Sequence, residues 1–437
     1  MRKQFHTMLH HYKKVLFALA LIAVAVGACK KNISSDAPLP SSYYPSIIIG
    51  SDNFVLYGID PHTGSKNWEY SMPSDSFSVA SNFKYLKPSP LVYNDMVYQV
   101  AVNSDTIYKL NAFTGQLVKK MVLPGHSAVS LPGHFFTCMA TPIADGNLIY
   151  LATTNDTLYA IDTGTGAIKW KFGNPAMDGS GFVASPVIYN GKIYVASQGL
   201  VGTNNGHVYC LDKTTGPDAS GFPIWDWPGM GVTSSAIFIS SPTISYPHLY
   251  IGSASDSNMY SINLNPTVVS GVTPTVGLLH WTFKTRGNIM SSPTSYAGMC
   301  IFGSNDFNLY CVDTQTGAAR WAFPTGSQIN SSPIISNQVV YVGSYDYYLY
   351  AVNIISGMQK WRFKTKGLIK SSPLPYGGSV YVGSYDGYLY AVDSAQGTLK
   401  WNYKINGYIQ SSPAIDDYSG TQYNSGISGF NTHGTNN

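Results

Sequence analysis

The side chains with the widest range of chemistry stand at eight matching positions, each two residues before the Ser or Thr of a Ser/Thr-Pro step. Their types differ from step to step: Lys87, Met139, Val183, Ile239, Met290, Asn330, Lys370 and Gln410. Lysine could pair with an anion, and the amides could donate and accept hydrogen bonds. This set holds no carboxylate, so it offers neither an aspartate base nor the oxygen ligands of a hard cation. We therefore predict a binding surface instead of a catalytic one, with a merely solvated strand end as the alternative, and take as its candidate residues Lys87, Met139, Asn330, Lys370 and Gln410.

Other catalytic patterns are weak in this sequence. His126, His134 and Cys138 lie near one another in the chain, but three ligands in one loop make a poor metal site. No phosphate-binding glycine loop and no Gly-x-Ser-x-Gly elbow precedes a helical pattern, and no two cysteines are adjacent. The sequence predicts no catalytic residue, no metal site and no resident cofactor.

The Ser/Thr-Pro steps belong to a repeat. They begin at Ser89, Thr141, Ser185, Ser241, Ser292, Ser332, Ser372 and Ser412. The last four steps follow at intervals of 40 residues, and four tryptophans keep the same interval: Trp281, Trp321, Trp361 and Trp401. A fixed period of this length indicates an array of similar supersecondary units.

The clearest unit, residues 371–404, contains four short strands. Ser372-Pro373 opens the first strand, where proline is tolerated because a first residue need not donate to the ladder. Residues 379–383 and 388–392 are rich in β-forming side chains, and the Asp386-Gly387 between them is typical of a tight hairpin. Residues 399–403 give the fourth strand after a second turn. Four antiparallel strands form one blade of a β-propeller, and no part of the repeat has helical periodicity.

The number of blades follows from a marker residue in each fourth strand. Lys119 holds the marker position once, and the other blades carry a tryptophan that we expect to dock against the neighbouring blade: Trp68, Trp170, Trp225, Trp281, Trp321, Trp361 and Trp401. The first unit lacks an opening strand, and a surplus strand follows the last unit at residues 411–415. A C-terminal strand that joins blade 1 explains both facts and leaves no open edge. The sequence predicts an all-β fold, an eight-bladed β-propeller of four-stranded antiparallel blades closed in this way.

The repeat motif resembles that of a known family. Residues 162–170, Asp-Thr-Gly-Thr-Gly-Ala-Ile-Lys-Trp, are similar to the tryptophan-docking motif of the PQQ-like β-propeller repeat, as are residues 313–321 and 60–68. That family includes quinoprotein alcohol dehydrogenases and BamB-like lipoproteins of the outer-membrane β-barrel assembly machinery. For the enzymes, the resemblance implies an aspartate base, carboxylate ligands for a divalent cation and adjacent cysteines over the quinone. This chain departs from that pattern, so the resemblance implies the fold more strongly than the activity.

The first 28 residues have the pattern of an export signal. Basic residues precede an apolar run, residues 15–26, that is too short to span a bilayer. Val26-Gly27-Ala28-Cys29 resembles a lipobox, which implies that Cys29 becomes the lipidated first residue; an ordinary secretory signal is the alternative. We expect a lipoprotein signal peptide (1–28), a flexible tether (29–45), the propeller (46–416) and a Gly/Ser/Asn-rich tail that is disordered or loosely laid over the ring (417–437).

Charge and cysteine usage limit the partners. Removal of residues 1–28 takes away four basic and no acidic residues, which leaves 22 of each sign. Without a basic excess to neutralise phosphates, nucleic acid is not an expected partner. Three cysteines occupy small apolar positions of the repeat, Cys210, Cys300 and Cys311, and we expect buried thiols there. A bridge between Cys300 and Cys311 stays open, because export permits disulfides.

Three functions are consistent with these observations. The first is a lipid-anchored, exported, non-enzymatic binding or scaffold protein of the cell envelope, which the resemblance places at the outer membrane, on either face. Its partners would be envelope proteins such as the β-barrel assembly machinery. The second is a PQQ-dependent dehydrogenase-like protein that binds PQQ with calcium. The third is a surface glycan-binding propeller in which hairpin-tip aromatics stack on sugars, namely Phe113, Phe307 and Tyr347.

Overall fold

The repeat folds into eight antiparallel sheets in the computed structural model of this chain. The structure describes residues 45–72, 88–100, 106–123, 140–173, 181–199, 206–228, 236–264, 278–416 and 422–424. The predicted signal peptide, the Cys29 anchor and nearly all of the tether lie outside the described residues, as do His126, His134 and Cys138. All the described residues belong to one compact unit.

Each sheet is one blade, and the strands follow chain order. Blades 1 and 2 contain β1 (Ile47–Gly50), β2 (Val55–Ile59), β3 (Lys66–Ser71), β4 (Leu91–Tyr93), β5 (Met96–Val100), β6 (Thr106–Asn111) and β7 (Leu117–Val122). Blades 3 and 4 contain β8 (Ile143–Asp145), β9 (Leu148–Thr153), β10 (Thr157–Asp162), β11 (Ile168–Gly173), β12 (Val187–Tyr189), β13 (Lys192–Ala196), β14 (Val208–Asp212) and β15 (Trp225–Trp227).

The second half of the chain repeats the pattern. Blades 5 and 6 contain β16 (Thr243–Ser245), β17 (His248–Gly252), β18 (Asn258–Asn263), β19 (Leu278–Lys284), β20 (Thr294–Tyr296), β21 (Met299–Gly303), β22 (Asn308–Asp313) and β23 (Ala319–Pro324). Blades 7 and 8 contain β24 (Ile334–Ser336), β25 (Val339–Gly343), β26 (Tyr348–Asn353), β27 (Gln359–Lys364), β28 (Leu374–Tyr376), β29 (Ser379–Gly383), β30 (Tyr388–Asp393) and β31 (Leu399–Lys404). Two more strands follow, β32 (Ala414–Asp416) and β33 (Gln422–Asn424). The described residues contain no helix, as predicted.

Blade 8 shows why the sequence forms these strands. Every residue of β29 is buried, because a middle strand of a blade packs against neighbouring blades on both faces. In β31, the outermost strand, half-buried residues alternate with exposed ones. The turn between β30 and β31 is fixed by Asp393, whose Oδ1 accepts the backbone N–H groups of Ala395 (3.0 Å) and Gln396 (2.9 Å). Gly397 then adopts a φ of 73°, a backbone conformation that residues with a Cβ adopt only at a cost in free energy.

The C-terminal strand closes the ring, which confirms the predicted closure. β32 pairs antiparallel with β1, so that Ile47 lies opposite Ile415 and Ile48 opposite Ala414. The first sheet therefore runs β3-β2-β1-β32, with β32 as the innermost strand of blade 1. A fifth strand, β33, pairs with β32. The sequence did not predict this strand.

The Ser/Thr-Pro steps form a continuous circle of hydrogen bonds. In each step the backbone N–H of the Ser or Thr donates to the hydroxyl of the matching residue in the next blade, over 2.9–3.1 Å. The circle runs through Ser89, Thr141, Ser185, Ser241, Ser292, Ser332, Ser372 and Ser412, and Ser412 donates back to Ser89. A hydroxyl serves here because it can accept in one direction and still donate in another. The circle closes after eight steps, which accounts for the eight blades.

The tryptophans of the fourth strands lie at the junctions between blades. Six of them donate the indole N–H to a backbone carbonyl of the following blade over 2.9–3.1 Å: Trp68, Trp170, Trp281, Trp321, Trp361 and Trp401. Trp225 is also buried, and its ring centroid lies 5.8 Å from that of Tyr194. Trp401 bonds Pro61 of blade 1, so the junction across the closure has the same form as the others.

Lysines replace the indole between blades 2 and 3. The Lys119 ammonium donates to the carbonyls of Gly164 (3.0 Å) and Thr165 (2.6 Å). Lys109 donates to the carbonyl of Thr163 over 2.9 Å, and its pKa is lowered by burial first and then by Lys119. The two lysine ammonium groups therefore donate the hydrogen bonds that an indole N–H donates at other junctions.

The aspartate turns at the blade edges depend on ionised carboxylates. Backbone and side-chain hydrogen bonds from Thr165 hold the pKa of Asp162 at about 2. The Arg320 guanidinium and the backbone N–H of Thr316 hold the pKa of Asp313 at about 2. Both values lie below the ordinary 3.8 because the folded turn stabilises the charged form.

We expect the ring to lose stability as the pH falls from about 4 to about 2. The pKa of each of these carboxyl groups is lower in the folded chain than in the unfolded chain. The ionised carboxylate therefore stabilises the fold fully above the unfolded-state pKa, and this stabilisation is lost as the pH falls towards the folded-state pKa. The denaturant midpoint at several pH values checks this. Asp313→Asn is expected to flatten the pH dependence, and Glu69→Gln, which removes an exposed carboxylate paired with Lys66, serves as the charge control. Equal slopes for the two variants would contradict the account.

Candidate functional site

Antiparallel pairing divides the connections between strands over two ends of the ring. In each blade the strands are counted outward from the axis. The segment that leads into the innermost strand lies at the same end of the ring as the turn between the second and third strands. We call this the rim end. The turns between first and second strands, and between third and fourth, lie at the far end. Six of the eight predicted positions are described, and all six lie at the rim end: Val183, Ile239, Met290, Asn330, Lys370 and Gln410. Lys87 and Met139 lie outside the described residues.

Two of the predicted residues meet across the closure of the ring. The Lys370 Nζ lies 3.5 Å from the Gln410 Oε1, which joins blade 8 to blade 1. The Gln410 Nε2 then donates to the Asp52 Oδ2 over 3.0 Å. Ammonium, amide and carboxylate therefore follow one another along the rim, in the order Lys370, Gln410 and Asp52.

The Asn330 side chain forms its hydrogen bond within its own blade and not with Lys370. Its Nδ2 donates to the Tyr345 hydroxyl over 2.9 Å. Burial raises the pKa of Tyr345, with the Asn330 bond acting in the opposite direction, so the phenol stays protonated and can still donate. In the described part of the chain, the Oδ1 atoms of Asn330 and Asn305 are buried and accept no hydrogen bond. These two amide oxygens at the rim are therefore unsatisfied acceptors.

Aromatic rings flank these polar groups. Tyr385 and Tyr408 stack with centroids 5.3 Å apart and planes at 24°. Tyr408 is 56% exposed, and its backbone carbonyl accepts a hydrogen bond from the backbone N–H of Asp52 over 3.1 Å. We call Asp52, Asn330, Tyr345, Lys370, Tyr385, Tyr408 and Gln410 the rim cluster. Its groups form hydrogen bonds and stacking contacts, which suits recognition of a polar ligand.

Asp52 adds a carboxylate beside the predicted positions, which themselves hold none. Asp52 follows the second strand of blade 1, and the prediction considered only residues before the Ser/Thr-Pro steps. The corresponding residues of blades 6, 7 and 8 are Asn305, Tyr345 and Tyr385. This second series also varies from blade to blade, and that variation was the signal that could have identified it.

The aromatic tips predicted for glycan binding do not come together. Phe307 and Tyr347 lie in rim-end turns of blades 6 and 7, and each is 45% exposed. Phe113 lies in the turn between β6 and β7, at the far end, where it packs against the core of blades 1 and 2. The strand order therefore separates Phe113 from the other two rings.

The described cysteines are free thiols. Cys210, Cys300 and Cys311 are buried and unbridged, which settles the open question of a Cys300–Cys311 disulfide. Burial raises the pKa of Cys210 and of Cys311 to about 12. These thiols are therefore protonated, unreactive core residues.

The rim cluster does not fit a quinone with a hard cation. A calcium ion takes about six to eight oxygen ligands, several of them carboxylates. The rim cluster supplies one carboxylate, Asp52, whose Oδ2 already accepts from Gln410. Within the described residues, no group of three or more His, Cys, Asp or Glu side chains could hold a metal ion.

Two family profiles match this chain. The family profile described as outer membrane protein assembly factor BamB matches residues 34–172 and 265–422. The profile described as the β-propeller domain of glucose/ethanol/alcohol dehydrogenases matches residues 125–298.

Individual relatives are distant. The serine/threonine-protein kinase AfsK of Streptomyces griseus is 28% identical over 165 residues, which is 37% of this chain and 18% of that protein. Outer membrane protein assembly factor BamB of Salmonella typhimurium is 23% identical over 224 residues, 51% of this chain and 49% of that protein. The matches span less than half the length of these relatives. The crystal structure of BamB from Moraxella catarrhalis superposes with a TM-score of 0.55 at 16% identity, over 77% of this chain and 95% of that one.

Proposed function

Because this chain belongs to the β-propeller family described as outer membrane protein assembly factor BamB, we propose that it is a non-enzymatic binding protein that acts in outer-membrane protein assembly at the cell envelope. The observation that carries the proposal is the profile match, which includes both the first blades and the closing strand. The similarity to Salmonella BamB over half of the chain supports it.

The proposed membrane attachment is a lipid on Cys29. The supporting observation is the sequence Val26-Gly27-Ala28-Cys29 after an apolar run. In the described part of the chain no helix is long and apolar enough to cross a membrane. Labelling of the protein by a radioactive fatty acid tests the attachment, and we expect Cys29→Ser to abolish it. Labelling that persists in this variant would refute the assignment of Cys29.

The proposed binding surface is the rim cluster. It combines charge, amide and aromatic groups on a framework held by the closed circle of hydrogen bonds. Protein partners favour such mixtures of aromatic anchors and polar groups, and the near-neutral mature chain gives no reason to expect nucleic acid.

The test is cross-linking in native cells, followed by affinity purification and quantification of the barrel-assembly subunits. We expect the intact protein to recover them and Lys370→Ala/Gln410→Ala to recover about tenfold less, the equivalent of about 1.4 kcal/mol of binding free energy. Ile355→Ser/Met358→Ser changes two exposed residues at the far end and is the matched control. Failure to recover any subunit removes the assembly role, and an equal loss in both variants removes the rim as the binding surface.

The dehydrogenase-type profile match supports a second candidate, a quinone-binding protein. If the chain binds PQQ, calorimetry with PQQ and Ca²⁺ will give a saturable heat. The rim cluster lacks the carboxylates for that site, and we expect a flat titration.

A further inference from the structure

The C-terminal strand β33 lies on the axial side of blade 1. It pairs antiparallel with β32, and its three residues Gln422, Tyr423 and Asn424 lie opposite Asp416, Ile415 and Ala414. Because β32 is the innermost strand of the blade, a strand added beyond it enters the space around the axis. β33 also lies against β4, the innermost strand of blade 2. It therefore occupies an axial groove between β32 and β4.

Blade 1 differs in this respect from the other blades. In the described residues, the sheets of blades 2 to 8 end at their innermost strands with no fifth strand beyond. An edge strand presents unpaired backbone N–H and C=O groups that can accept another extended chain. Blade 1 shows that such pairing is geometrically possible at the axis, because the chain itself makes it.

From this pairing we propose that the axial groove between β32 and β4 is an acceptor for an extended polypeptide, and that β33 fills it until a partner's strand replaces it. The partner class is an unfolded segment with β-strand character, such as a strand of a membrane β-barrel before it folds. This identification of the partner rests on the proposed function. The groove itself follows from the pairing of β33.

The short length of β33 makes exchange feasible. Three residues make few ladder bonds, and the tail sequence around them is mostly Gly, Ser, Thr and Asn, residue types with little apolar surface. Only five residues separate β32 from β33, so the high effective concentration of a tethered segment favours the internal strand. A barrel strand of about ten residues can pair over a longer stretch and compensate for the lack of a tether.

The direction of β33 connects this groove to the rim cluster. β32 runs from the rim end to the far end, and β33 returns towards the rim end. Asn424 lies opposite Ala414, two residues after Ser412 of the hydrogen-bonded circle. A longer strand in the same register would extend towards Gln410 and Lys370. The two features would then form one continuous binding site.

The experiment uses the full chain and a variant that cannot form β33. In Gln422→Pro/Tyr423→Pro, the backbone N–H of each changed residue is removed, so whichever one pairs with β32 is lost. The probe is a fluorescent peptide with the sequence of residues 418–428. We expect it to bind the variant at least about tenfold more tightly than the unchanged protein, because the internal strand no longer competes. Thr432→Pro/His433→Pro alters the same tail outside β33 and is expected to match the unchanged protein.

Hydrogen exchange provides a second readout. Exchange of the amides of residues 414–416 is expected to accelerate in the double-proline variant and to slow again when the peptide is added. Equal peptide affinity in both proteins, or unchanged exchange in the variant, overturns the acceptor groove. A ten-residue peptide of alternating apolar and polar residues is expected to compete with the probe, and its failure overturns the assigned partner class. Recovery of barrel-assembly subunits from cells tests the proposed function separately.

Discussion

Replacement of Trp361 by alanine will lower the free energy of unfolding by about 3–5 kcal/mol, the range for loss of a buried aromatic side chain. The Trp361 indole is 7% exposed and donates to the Ser394 carbonyl of blade 8 over 3.0 Å. Alanine removes the packing and leaves that carbonyl without its donor. Since the ring is a sum of interfaces between neighbouring blades, the loss is expected to open the junction between blades 7 and 8 first. The denaturant midpoint measures the loss, and hydrogen exchange of β30 locates it.

Two further variants separate the contributions at this position. Trp361→Phe keeps part of the packing and removes the indole donor, so we expect an intermediate midpoint. Met358→Ala changes a 70% exposed residue three positions earlier and should stay within about 0.5 kcal/mol of the unchanged protein. A midpoint of Trp361→Ala equal to that of Met358→Ala would show that the tryptophan does not hold the junction.

Replacement of Gly397 by alanine will destabilise the same junction from the other side, by about 2–5 kcal/mol. Gly397 has a φ of 73°, and a Cβ added there would lie 2.6 Å from the Trp361 ring. The left-handed backbone and the collision with the indole both oppose the substitution. The same close approach recurs at other junctions, where a glycine of one blade faces the tryptophan of the preceding blade: Gly64, Gly115, Gly216, Gly317 and Gly357. The midpoint of denaturation is again the measurement.

Gly377 provides the matched control for the contact with the indole. It has a φ of 55°, and an added Cβ would meet no atom within 4 Å. Gly377→Ala therefore carries the backbone strain alone, about 1–2 kcal/mol. The difference between the two variants measures the collision with Trp361. Equal effects would mean that the close approach of glycine and tryptophan has no energetic weight.

The sequence predicted the architecture because each blade repeats the same local signals. The eight Ser/Thr-Pro steps and the eight fourth-strand markers, the last four of each at a constant interval, gave the number of blades. The missing first strand near Ile47 and the surplus strand near Ile415 fixed the closure, and the pairing of these two residues confirms it. What the repeat could not show is any feature that occurs once. β33 is a single three-residue strand in a polar tail, without the alternation that marks a strand.

The candidate site was predicted only in part, for a related reason. Lys370 and Gln410 were identified from their equivalent positions, and the structure brings them within 3.5 Å. Asp52 was missed because it lies 358 residues before Gln410 in the chain and reaches it only when the ring closes. Side chains that meet through closure leave no local spacing in the sequence. The same holds for the stacking of Tyr385 on Tyr408, since two different blades supply these rings.

Closure of the ring by the C-terminal strand is the central claim, and a disulfide between β1 and β32 tests it most directly. Ile48 and Ala414 lie directly opposite each other, and opposed residues in an antiparallel pair have the Cα separation that a disulfide needs. Expressed in an oxidising compartment, Ile48→Cys/Ala414→Cys should form an intramolecular bridge, detected by mass spectrometry of the linked peptides. Ile49→Cys/Ala414→Cys, which places the two side chains on opposite faces, should form little. Absence of the bridge in the first variant, or equal bridging in both, would contradict the closed eight-bladed ring.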